Sequence, residues 1–278
     1  MNRLHILSLS LLFCCLTMGT APATTLKDFQ GQKGTVNIAG GTAHIPVMKA
    51  AARSIMSAVP DIRITVTGGG SGVGVQQVGE GLVDIGNTGR ALKESEIEKY
   101  GLQSFPFAID GVAVAIHPAN PVSGLTQEQL IKIFTGEITR WQDLGGPDAP
   151  ITLYVREDGS GTRETFEERG LNKAVPSTNS NVSNSNGAMK TMIAQDKNAI
   201  GYVGIGHLDS SIKALPVDGM QPTQENAQNG SYIITRLLYM NTKGEPQGLV
   251  RLFIDYIYSE DGQGFIAAAG YIEVAPLV

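Results

Sequence analysis

Three glycine-rich stretches each place a hydroxyl between an extended segment and a helical one. Ala39-Gly40-Gly41-Thr42 follows the run from Val36, Gly68-Gly69-Gly70-Ser71-Gly72 follows Arg63 to Thr67, and Asp158-Gly159-Ser160-Gly161-Thr162 follows Ile151 to Val155. A helix start offers unpaired N–H groups and the positive end of a dipole. Glycine lets the backbone approach a ligand closely, and Ser or Thr adds a hydroxyl. One such loop reads equally well as a simple N-cap. Three in one chain point to a shared pocket for a compact oxyanion. Arg156 strengthens that reading. It sits at the carboxyl end of its strand, where α/β folds bind ligands, and a guanidinium can grip two oxygens of one tetrahedral anion. Asp158 is a candidate to hold Arg156 in place or to accept a ligand's proton. Arg163, one turn onward, either joins the site or faces solvent.

The elements that must position these loops alternate along the chain. Ile45, Met48, Ala52, Ile55 and Val59 recur at helical spacing, with Pro46 in the first turn and Pro60 closing the segment. Arg63 to Thr67 alternates as a strand does. A weak helix follows Ser71, and Val83 to Gly86 reads as a short strand. Gly111 to Ile116 reads as a buried strand, and Thr126 with Gln129 forms a capping box for a helix to Phe134. Further strands are expected at Ala199 to Val203 and Ile233 to Met240, and an amphipathic helix at Leu249 to Tyr258. The alternation predicts an α/β chain with mixed, mostly parallel sheets flanked by helices. Ser177 to Asn186, nearly all Ser, Asn and Thr, reads as a loop without assigned function.

The whole chain has 278 residues, 42% hydrophobic and 17% charged. That composition excludes general disorder and fits one or two domains. A net charge of −5 argues against nucleic acid as a partner. Residues 1–23 read as a secretory signal peptide: Arg3, an apolar run from Leu4 to Met18, and Ala21-Pro22-Ala23 as the cleavage site. The run is short for a membrane anchor. Cys14 and Cys15, the only cysteines, fall inside it, and Leu12-Phe13 lacks the small residues that precede a lipidated cysteine. The mature chain therefore has no disulfide and no thiolate metal site. No cofactor and no metal are expected, because His44, His117 and His207 are dispersed and neither a His-Glu-x-x-His pattern nor a phosphate-loop lysine motif is present. A serine hydrolase is the competing enzyme class, but neither Ser71 nor Ser160 sits in Gly-x-Ser-x-Gly.

Arg156-x-Asp158-Gly159-Ser160-Gly161-Thr162 resembles the phosphate loop of the periplasmic phosphate-binding proteins that serve ABC transporters. Ala39-Gly40-Gly41-Thr42 with Pro46 is similar to that family's first binding loop, and Gly70-Ser71-Gly72 to its second. Ile133 to Trp141, Ala199 to Gly204 and Leu238-Tyr239 resemble further stretches typical of the family. The likeness spans essentially all of the chain after the leader. It implies a two-lobed type II periplasmic binding protein fold with the ligand in the cleft. One lobe would comprise 24–109 and 236–278, the other 110–235, with crossings near Phe107 to Gly111 and Tyr232 to Tyr239. It implies Thr42, Ala43 and Ser71 as anion contacts from the first lobe, and Arg156, Ser160, Gly161 and Thr162 from the second. It further implies a non-enzymatic monomer that binds inorganic phosphate in the periplasm and delivers it to an inner-membrane ABC permease.

One departure bears on selectivity. Many family members carry an Asp that accepts the proton of hydrogen phosphate where this chain has Gly89. Asp158, Thr88 or backbone carbonyls are then the candidates to compensate, with Arg90 as a further contributor, and another tetrahedral oxyanion, of the sulfate or molybdate type, is the alternative ligand. His44, beside the first loop, is expected either as a capping or solvent-facing residue or as a pH-sensitive extra contact.

Overall fold

The computed structural model describes residues 24–275. The expected leader, 1–23, with both cysteines, lies outside the described residues. Ten strands are described: β1 (Gly34–Gly40), β2 (Ile62–Gly69), β3 (Ile85–Thr88), β4 (Leu102–Ile116), β5 (Thr152–Arg156), β6 (Asn181–Ser183), β7 (Ala199–Gly204), β8 (Lys213–Leu215), β9 (Thr235–Lys243) and β10 (Ile272–Glu273). They run in the order β2-β1-β3-β9-β4-β7-β5-β6, with β8 and β10 also paired to β4. The parallel pairs occupy the flanks: β1 with β2 and β3, and β5 with β6 and β7. The antiparallel pairs sit in the middle, where β9 returns between β3 and β4.

β4 ties the halves together. It pairs with β9 from Leu102 to Gly111 and with β7 from Val112 to Ile116. Its pairing with β9 shifts register between Pro106 and Ala108, which accommodates a proline that has no N–H to give. The sequence suggests only the part from Gly111 onward, because Gln103, Ser104, Pro106 and Asp110 interrupt the apolar pattern.

The apolar side chains collect in separate clusters on either side of that crossing. One combines Phe29, Ile38, Met48 and Phe107 with Leu238, Phe253 and Tyr256, so it needs both ends of the chain. A second draws only on residues from Val112 to Ile234. There Phe166 stacks on Tyr202 at 4.0 Å and Phe134 meets Phe166 edge-on at 4.7 Å. A third lies on the opposite face of β7, with Ala199 and Val203 against Met189 and Ile193. β7 is buried throughout, and its alternate residues Ile200 and Tyr202 face the second cluster. That two-sided burial explains its unbroken apolar run.

The helix Ile45–Ala58 buries Val47, Met48, Ala51, Ala52 and Ile55 against the first cluster. Thr126 and Gln129 form the expected capping box on the helix Gln127–Thr135. The Ser/Asn-rich segment differs from expectation. Its Asn181–Ser183 forms β6, parallel to β5, and Ser185 caps the helix Asn186–Gln195 through the Ala188 N–H. With a single β-branched residue, Val182, β6 carries no strand pattern of its own. Among the described residues no helix is long and apolar enough to cross a membrane.

Candidate anion-binding site

All three hydroxyl-bearing loops converge. Gly41, Thr42, Ala43 and His44 from the first, Gly70 and Ser71 from the second, and Ser160, Gly161 and Thr162 from the third line one small cavity, joined by Gly89, Arg156 and Arg236. The loops reach it because β1, β2 and β5 each end there and hand over to a turn or helix. Contacts between the walls are close. The Gly72 N–H donates to the Gly159 carbonyl at 3.0 Å. The Asn186 N–H and side-chain amide donate to Thr42 Oγ1 at 3.2 and 3.0 Å. A Cβ on Gly161 would run into Ser71 Oγ and the backbone of Gly89, so only glycine lets the two walls meet here.

Each hydroxyl in the lining already accepts a hydrogen bond. Thr42 accepts from Asn186, Ser71 from the Gly89 N–H at 3.0 Å, Ser160 from the Arg163 N–H at 3.3 Å, and Thr162 from Arg236 Nη1 at 2.9 Å. None of the four donates a hydrogen bond within the protein, so their protons are free for a ligand. Ser160 is therefore an N-cap and also a lining donor. Neither Ser71 nor Ser160 is bonded to a histidine, and both ring nitrogens of His44 lack a partner, so no nucleophile–base pair is assembled.

Arg156 is buried at 1% exposure. Its Nε and Nη2 donate to the two oxygens of Glu157 at 2.8 Å each, and Nε also reaches the Ser183 carbonyl at 3.2 Å. Its backbone N–H donates to the Tyr202 hydroxyl at 2.9 Å. Nη1 alone has no protein partner, which leaves one charged donor for the cavity. Arg236 is the second guanidinium in the lining. Its Nε and Nη2 hold Asp110 Oδ2 at 2.9 and 2.6 Å, and a Cβ on Gly89 would come within 2.7 Å of its Nη1. Gly89 therefore gives Arg236 its room.

The structure places several expected residues elsewhere. Asp158 has a side chain 96% exposed and pairs with Arg163 at 2.8 Å. The turn at Gly159, with φ of +78°, carries the chain from that exposed position into the cavity. Glu157 is the residue that holds Arg156. Arg90 is taken up by Glu96 and Glu164 at 2.8 and 2.6 Å. Thr88 is buried, but its hydroxyl donates to the Arg90 carbonyl at 2.8 Å. Neither Thr88 nor Arg90 lines the cavity. His44 occupies the N-cap position of the helix Ile45–Ala58, but its side chain makes no capping bond and is wholly buried, not solvent-facing; burial, with Arg236 nearby, pushes its pKa down to about 3. Sequence reasoning missed Arg236, Glu157, Ser183 and Asn186 as parts of this site. No cluster of metal-ligating side chains occurs among the described residues.

A model of the PBP superfamily domain matches residues 28–261. The phosphate-binding protein PstS of Bacillus subtilis (strain 168) is 38% identical over 95% of this chain and 89% of its own length. The chain belongs to the PstS family of phosphate-binding proteins. PstS of Pseudomonas aeruginosa PAO1 matches at 28% identity over 97% of the chain and 95% of that protein. Among solved structures, a substrate-binding protein assigned to phosphate ABC transport in Clostridium perfringens, with phosphate bound, is 39% identical. It has a TM-score of 0.82 and covers 87% of this chain and 100% of that one. An ABC-type phosphate transport receptor from Vibrio cholerae is 33% identical, with a TM-score of 0.69 over 85% and 99%. The fold of this PstS-family chain is thus the two-lobed type II binding-protein fold, and its relatives are binding proteins, not enzymes.

Proposed function

We propose that this chain is an extracytoplasmic receptor that binds inorganic phosphate between two lobes and delivers it to an ABC permease. One observation carries the reading. Four hydroxyls, each already accepting an N–H, and the unpaired Arg156 Nη1 surround a single small cavity. That is a donor shell for one compact anion, and fixed donors in a dry cleft need no basic surface. The names of the Clostridium perfringens and Vibrio cholerae relatives support the transport role. In this reading Thr42, Ala43, Ser71, Arg156, Ser160, Gly161 and Thr162 contact the anion, and Arg236 joins them.

The lobes are 24–109 with 236–278, and 110–235. The division of the apolar clusters at β4 and β9 supports those boundaries. Closure would bury the anion and form the surface a permease reads. The receptor acts as a monomer, released by cleavage of its leader. Among the described residues no carboxylate lines the cavity, which favours a fully ionised anion such as sulfate as the second reading. Calorimetric titration of anion-stripped protein with phosphate and then sulfate tests both. Tight one-to-one phosphate binding that excess sulfate does not displace supports the receptor. Binding of neither anion overturns it.

A further inference from the structure

His44 is the one titratable side chain of the lining with no side-chain partner, whereas Arg156 holds Glu157 and Arg236 holds Asp110. It is wholly buried, and neither Nδ1 nor Nε2 makes a hydrogen bond of good geometry. Buried polar atoms are rarely left so, which marks the ring for a role. Its polar neighbours are the backbone carbonyls of Gly41, Thr88 and Tyr239, with the Phe107 ring packed against it at 5.5 Å. The nearby charge is Arg236, itself neutralised by Asp110. The Tyr271 hydroxyl behind the loop is committed to the Ala43 carbonyl at 2.8 Å.

Carbonyls only accept. A neutral imidazole among them turns its single N–H toward one of them and keeps a lone pair on the other nitrogen. Every other polar side chain of the lining is a donor: the hydroxyls of Thr42, Ser71, Ser160 and Thr162, and the two guanidiniums. An anion that carries no proton satisfies those donors and leaves the imidazole lone pair facing another lone pair. An anion that carries one hydroxyl, such as hydrogen phosphate, has the donor the imidazole lacks.

We propose that His44 is the specificity-determining acceptor for the ligand's proton, serving where Gly89 removes a carboxylate from the site. This rests on the receptor reading above. A neutral acceptor does not repel a dianion as a carboxylate would, so the preference for phosphate over sulfate is that of one hydrogen bond, about tenfold to a hundredfold. Arsenate, protonated like phosphate at neutral pH, follows phosphate.

The test measures the affinities of the mature protein for phosphate, arsenate and sulfate by calorimetry, in the native chain and in His44→Leu and His44→Gln. The expected result is a loss of about tenfold for phosphate and arsenate in His44→Leu, with sulfate unchanged. His44→Gln, whose amide oxygen can accept, retains more of the preference. Equal changes for all three anions, or none, would overturn the proposal. Should His44→Leu fail to fold, nitrogen NMR of the native imidazole decides. The unprotonated nitrogen must move on saturation with phosphate, and a resonance that stays in place overturns the proposal. A native chain that binds neither phosphate nor sulfate overturns the receptor reading itself, whereas native phosphate binding with an unchanged preference in the variants overturns only the role of His44.

Discussion

Asp110 on β4 and Arg236 on β9 stand directly opposite each other in register, and their side chains form an ion pair at 2.6 Å with 0% and 4% exposure. The same guanidinium reaches Thr162 Oγ1 at 2.9 Å. One side chain therefore links β4 and β9 to the third glycine-rich loop of the cavity.

Removing that link should separate stability from binding. Arg236→Ala leaves Asp110 as an uncompensated buried charge and should cost about 3–5 kcal/mol in urea unfolding. The double variant Arg236→Met with Asp110→Leu should recover most of that stability. Phosphate affinity should stay low in both, because Thr162 and the cavity have lost the guanidinium. Recovered affinity in the double variant would show that Arg236 acts only by neutralising Asp110.

Arg156 should behave in the opposite way. Its partner Glu157 is 23% exposed and can rehydrate, so Arg156→Ala should change thermal stability little. Loss of a charged donor in a dry site should weaken phosphate binding by about 10- to 100-fold. Arg156→Lys should restore little, since an ammonium cannot hold both Glu157 oxygens and the anion in fixed geometry. Calorimetry beside thermal unfolding checks both points.

Gly161→Ala tests the closeness of the walls. The added methyl would meet Ser71 Oγ and, at 3.1 Å, the Gly89 backbone. The variant should unfold like the native chain when free of ligand. Its phosphate affinity should fall by about 10- to 100-fold, and small-angle scattering with phosphate present should show a more open particle. Native affinity in this variant would mean that the walls need not meet to hold the anion.

Acid should destabilise the protein through its buried histidines. Burial, with Arg236 near, holds His44 down at about 3. Burial, with Lys190, Arg236 and Arg156 near, holds His207 down at about 4. In the unfolded chain both titrate near 6.5. Between about 4 and 6.5 the unfolded chain thus binds more protons than the folded one, and stability rises with pH. Each histidine contributes a slope of up to about 1.4 kcal/mol per pH unit in that window. Replacing either with Leu should remove one proton from the slope measured by urea unfolding at successive pH values.

The sequence makes the loops legible because each is a local pattern: strand, glycines, hydroxyl, helix. Thr42, Ser71, Ser160 and Thr162 all line the cavity for that reason. Arg236 has no such pattern around it. It lies in Thr235–Lys243, an ordinary strand, and only the register of β9 against β4 brings it to Asp110 and Thr162. Asn186 was equally hidden, because its partner Thr42 is 144 positions away. Asp158 was misleading for a local reason. It is one residue from Glu157, and the direction of the turn at Gly159 decides which carboxylate faces Arg156. Gly89 reads in sequence as a missing acid, whereas in space it is the room taken by Arg236.

The divided origin of the first apolar cluster sets an order of assembly. Phe29 to Phe107 cannot bury that cluster until Leu238 to Tyr271 has been added, whereas the cluster from Val112 to Ile234 draws on one uninterrupted stretch. On a chain emerging from its N-terminus, the inserted stretch can therefore reach its packed state first. The leading segment then waits with an open sheet flank. A pause or truncation before β9 would leave a folded middle attached to an exposed, aggregation-prone half.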